Sequence, residues 1–275
     1  FAAFSESSTM TVARRFVTVS RVTVRFQSDA FGESGARMAR IIHDVYDHAK
    51  ATRGRVTAVV SACGFDVTWN AADAVNTPGG AAKAFKFAML LKDSVAQRQA
   101  PPWAYDSKVA AVTCVIATGE ASVVAALPND DVVYLHSPHL SDALTSLQHY
   151  AERIYGVAAT RGAVPLLLSV SDEQTASSAS VEFASRGVHS YVPLATFDGP
   201  KTQLPMPIFE VVEALPSSQV AACERVTQAL RLGLSGRSAD GLAVIEQLSA
   251  AHQHHEARPL TVECLRYDLF KQSSK

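Results

Sequence analysis

The chain has 275 residues, 48% of them hydrophobic and 19% charged, enough for one ordinary core or a core with an appendage. Its 25 Lys and Arg against 26 Asp and Glu leave a net charge of −1, which gives no electrostatic reason for nucleic acid or an anionic membrane as partner. No run reaches the roughly 18 uncharged apolar residues that a membrane-spanning helix needs.

The chain starts at Phe1 rather than Met, and its first twenty residues are not a signal peptide. The expectation is a piece of a longer protein, with room for a membrane segment outside it. Four cysteines (Cys63, Cys114, Cys223, Cys264) are scattered without a CxxC pair, and two of them lie in apolar strand contexts. That pattern fits reduced, buried thiols in a cytoplasmic protein better than disulfides.

Residues 1–15 are rich in Ser, Thr and Ala and read as a flexible segment. Residues 16–26 (FVTVSRVTVRF) alternate β-branched residues with period two and predict a strand. A helix is predicted over 35–51, where Met38, Ile41, Ile42, Val45 and Ala49 form one apolar stripe. Residues 54–71 (GRVTAVVSACGFDVTWNA) predict a hairpin turning at Ala62-Cys63-Gly64. A second helix over 81–100 buries Ala84, Phe87, Ala88, Leu91 and Val95, and Pro101-Pro102 stops it. Strands follow at 108–116, 121–127 and 130–135, the first two joined by a turn at Thr118-Gly119-Glu120. A helix over 140–155 ends at Gly156. Further strands are predicted at 165–170, 188–193 and 208–212, then two amphipathic helices at 219–234 and 238–253. The order implies an α+β domain, a mostly antiparallel sheet with helices on one face, over residues 16–215. Residues 216–275 are a C-terminal helical pair and tail.

Five of these segments together resemble the catalytic domain of class III nucleotidyl cyclases: VTVRF (22–26), GRV…FDVTWNA, IATGEASVVAA (116–126), PLLLSV (165–170) and PMPIFEVVEAL (205–215). The resemblance spans roughly residues 21–213. It implies a ferredoxin-like core that dimerises, with two shared active sites at the interface. Such a site makes cyclic AMP or cyclic GMP from ATP or GTP. It needs two carboxylates to hold two Mg²⁺ or Mn²⁺ ions, a base-selecting Lys, and an Asn and an Arg from the partner chain.

Placed on those motifs, the first metal position is Ser28, with Asp29 one residue along. A one-residue slip in an extended segment turns the side chain to the opposite face. The second metal position is Cys63, and the base-selecting position is Val59. The Asn and Arg positions fall in SPHLSDALTSL (137–147), at Ser141 or Asp142 and at Thr145 or Ser146, and no Arg occurs from Ser137 until Arg153. A hydroxyl or thiol does not replace a carboxylate at a magnesium site, because magnesium takes hard oxygen ligands. Asp29 and Asp66 are the remaining metal candidates, with Asp66 expected to face solvent.

Other motifs carry less. His252, His254 and His255 read as helix-end histidines favoured by the C-terminal dipole. His136 and His139 flank Ser137-Pro138 with no matched ligands. Glu120 reads as structural. Residues 76–80 lack the Lys and Ser/Thr of a phosphate loop. The expectation is therefore a catalytically inactive cyclase-type module, without catalytic residues or cofactor, that pairs with itself or another cyclase-type domain. The alternatives are a regulatory partner of an active cyclase, an active cyclase using Asp29 and Asp66 with Mg or Mn, and an unassigned α+β binding domain.

Overall fold

The computed structural model describes residues 10–26, 31–61, 64–71, 79–99, 109–126, 131–160, 167–184, 191–197, 206–211, 217–251 and 260–274. In chain order the elements are β1 (Met10–Phe26), α1 (Phe31–Ala51), β2 (Arg55–Ser61), β3 (Gly64–Trp69), α2 (Gly80–Gln99), β4 (Val109–Ala126) and β5 (Asp131–His136). They continue with α3 (Pro138–Thr160), β6 (Leu167–Asp172), α4 (Glu173–Ala184), β7 (Tyr191–Phe197), β8 (Met206–Val211), α5 (Ser217–Leu234), α6 (Ser238–Ala251) and α7 (Leu260–Ser273).

One eight-stranded sheet runs in the order β2-β3-β1-β4-β6-β8-β7, with β5 paired to β4 off that path. Every pairing is antiparallel except β4 with β6. The centre is the long β1–β4 pair, in register from Met10↔Ala126 to Arg25↔Ala111 before a bulge. Alternation along β1 sends Val22 and Val24 to one face and Val17 and Val19 to the other. The first face is covered by α1, α2 and α4. There Ile41, Val45, Ala49, Ala84, Phe87, Ala88, Leu91 and Val95 are all buried, as their stripes predict. The second face is covered by α3 together with α5, α6 and α7, through Leu140, Leu144, Leu147, Tyr150, Leu230, Ile245, Leu265 and Leu269.

Helices therefore cover both faces, not one, because both faces of β1 and β4 are apolar. Four further expectations change. The strand of β1 begins at Met10, so residues 10–15 belong to the sheet; residues 1–9 lie outside the described residues. Thr118-Gly119-Glu120 is not a turn but the middle of β4, since β1 supplies partners at Thr18, Val17 and Phe16. α3 runs through Gly156 to Thr160. Two helices, α4 and α7, were not expected at all. The N-terminal end of α4 is held by Asp172, whose Oδ1 accepts the Thr175 N–H at 2.7 Å. Burial pushes the Asp172 carboxyl above its usual range, opposed by its hydrogen bonds to Thr175.

The junction from α1 to β3 is set by close packing. Arg53 takes a left-handed φ of 59°, and the Gly54 N–H bonds the Ala49 carbonyl at 2.7 Å, closing α1. A Cβ on Gly54 would lie 2.6 Å from the Trp69 ring, so glycine is required there. Trp69 is 1% exposed, stands edge-on to Phe87 at 5.5 Å and donates its Nε1–H to Thr52 Oγ1 at 3.3 Å.

Candidate functional site

The sheet face under α3 carries the described site positions that come together. Arg21 on β1 stands opposite Asp66 on β3 in the antiparallel register. Its Nε donates to Asp66 Oδ1 at 2.8 Å and its NH2 nitrogen to Oδ2 at 3.0 Å, a bidentate pair. The side chains are 21% and 15% exposed. Hydrogen bonding to Asp66 holds the Arg21 pKa above its usual value, against the opposing pull of burial and with the carboxylate's charge adding to the rise. The expectation that Asp66 faces solvent is thus corrected, its side chain being mostly buried against Arg21. The alternation rightly sets it opposite to Phe65 and Val67, but that face lies beside α3 and holds an arginine.

The first turn of α3 closes the cleft. Ser137 Oγ accepts the Leu140 N–H at 3.3 Å and donates to the Glu120 carbonyl at 2.7 Å, capping the helix and tying it to β4. Leu140 and Leu144 are buried beneath, while Ser141 and Asp142 are exposed above. Val19, Arg21, Asp66, Ser137, Ser141 and Asp142 are among the residues lining a cleft of about 350 Å³. Of its described charges, the one guanidinium is committed to Asp66, and Asp142 adds a second carboxylate. A polyphosphate entering between them would meet net negative charge.

The remaining positions separate. Ser28, Asp29 and Cys63 lie outside the described residues. Val59 is on β2, paired with Phe65 between two register shifts. Phe65 belongs to the core under α1 and α2, so in register Val59 stands opposite a residue of the other face. Thr145 donates its hydroxyl to the Ser141 carbonyl at 2.8 Å, and the half-buried Ser146 does not line the cleft. His139 is exposed at the start of α3; the side chain of His136, and residues 252–255, lie outside what is described. Among the described residues no three His, Cys, Asp or Glu side chains gather as a metal site. Cys114 is free and buried, with burial pushing its pKa up to about 12, which keeps it a neutral thiol.

Sequence reasoning missed Arg21 and the Ser137 cap. The signal for Arg21 was present: it follows Val17 and Val19 at period two, so a cation sat on an apolar face and called for a partner.

About three quarters of the chain is similar in fold to solved structures. The adenylyl cyclase CyaB from P. aeruginosa is 14% identical, with a TM-score of 0.51 over 74% of this chain and 97% of that one. The chain has the fold of nucleotidyl cyclase catalytic domains. The catalytic core of a rhodopsin-guanylyl cyclase with converted specificity, in complex with ATPalphaS, gives 0.52 at 11% identity over 74% of this chain and 100% of that one. A bacterial light-regulated adenylyl cyclase gives 0.50 at 10% identity, over 78% and 98%. No family model and no curated protein matches the sequence. At these identities the likeness is one of fold alone. Among the described residues, no helix of this cyclase-fold chain is long and apolar enough to cross a membrane.

Proposed function

We propose that this cyclase-fold chain does not cyclise nucleotides and serves as a dimerisation module, pairing with a second copy of itself within a larger protein or assembly. The observation that carries this reading is the bidentate Arg21–Asp66 pair. It occupies both oxygens of the one described carboxylate on the central hairpin. In sequence, the two metal positions of the cyclase motif are Ser28 and Cys63, and the base-selecting position is Val59. On α3 the cleft is lined by Ser141 and Asp142 where the motif has Asn, and the Arg position falls on Thr145 or Ser146. A site of this composition holds no pair of magnesium ions and offers no cation to a transferring phosphoryl group. What the chain keeps is the framework, and a framework of this fold is suited to pairing.

Sedimentation equilibrium of the purified chain tests the role. The expected result is a reversible dimer, twice the 29.4 kDa of one chain. A single-chain mass at every concentration up to about 100 μM, far above the Kd of a standard interface, would overturn it.

A further inference from the structure

Helical cover on the α1–α2 side of the sheet stops at Thr18. A Cβ on Gly80, where α2 begins, would lie 2.7 Å from Thr18 Oγ1, and Thr18 in turn shares a 3.0 Å hydrogen bond with Thr118. Beyond that pair β1 and β4 continue to Met10 and Ala126 as a ribbon that no described helix covers on this side, with β5 alongside. Its other face is buried, through Val17, Ala121 and Val123 packed with α3.

On the uncovered face Val12, Arg14 and Phe16 follow one another at period two, beside Val124, Ser122 and Glu120. Val12 is 73% exposed and Phe16 48%, and Arg14 and Glu120 are exposed too. An apolar pair this open on a β-ribbon is a recognised association hazard unless something covers it. Arg14 and Glu120 are diagonal neighbours, about 7–8 Å apart at the backbone, and no ion pair joins them among the described residues.

We infer that this ribbon face, centred on Phe16, is the surface on which two copies of the chain pair. The inference rests on the proposed dimerisation role and names its interface. The patch is complementary to itself. A two-fold axis lying in the interface midway between Arg14 and Glu120 sets each guanidinium over the other copy's carboxylate. The same axis lays Phe16 against the second Phe16. A two-fold interface requires such self-complementarity, and a partner of single charge would leave either Arg14 or Glu120 unmatched.

Sedimentation equilibrium and thermal melts of four variants test this, beside the unmodified chain. Phe16→Glu sets two carboxylates against each other and is expected to weaken the dimer about tenfold or more. Arg14→Glu and Glu120→Arg are each expected to weaken it, and the Arg14→Glu/Glu120→Arg double variant to restore it, with melting temperatures unchanged. The charge pair decides the matter if Phe16→Glu does not fold. A dimer of unchanged Kd in the two single reversals would overturn this interface and leave the dimerisation role standing elsewhere on the molecule. A monomeric unmodified chain would overturn both.

Discussion

Trp69→Ala is expected to destabilise the fold by about 3–5 kcal/mol, the range for emptying a large buried aromatic site. The indole closes a three-way contact among α1, α2 and the central hairpin. It loses the edge-on Phe87 ring, leaves Thr52 without its indole donor, and opens a void against Gly54. None of these neighbours can collapse into the gap, since Gly54 is backbone and Phe87 is itself fully buried. Urea unfolding followed by circular dichroism measures the loss. A change below about 1 kcal/mol, within the range of volume-conserving swaps, would mean that the hairpin is not anchored through this ring.

The second large effect is at Arg21 and Asp66. Either Arg21→Leu or Asp66→Leu alone strands a mostly buried charge, and each is expected to cost about 2–3 kcal/mol. The Arg21→Leu/Asp66→Leu double variant removes both charges from a cleft floored by Val19, Leu140 and Leu144. It should cost clearly less than the sum of the two, a coupling of about 1–3 kcal/mol in a double-mutant cycle. Additive losses would show that the pair does not act as a unit. Asp66 would then be available to another partner, as in a ligand-binding cleft.

The fold was largely legible because its signals are local. Alternation over 16–26 marks β1. The stripes through Ile41, Val45 and Ala49 and through Ala84, Phe87 and Leu91 mark the helices that cover it. Punctuation misled where tertiary partners override it. Gly119 reads as a turn, yet β1 lies opposite and Leu140 stands 3.7 Å from where its Cβ would be. Gly156 reads as a stop, yet α3 continues past it. The Ser- and Ala-rich α4 has no apolar stripe to find; Ala176 and Ala179 are buried by being small. At the site, the alternation set Asp66 opposite Phe65 and Val67 but took that face for solvent, whereas it holds Arg21, 45 residues earlier in the chain. No local pattern shows that those two side chains meet.

On the proposed function this cyclase-fold chain makes no cyclic nucleotide, and turnover measures that directly. The purified chain, shown to be folded by circular dichroism, is incubated with ATP or GTP and Mn²⁺, and cyclic AMP and cyclic GMP are quantified. The expected result is no product above an enzyme-free blank with either nucleotide. Product that appears with the unmodified chain and vanishes in Asp29→Ala would contradict the claim. It would make Asp29 a metal ligand one residue beyond Ser28, and the chain an enzyme.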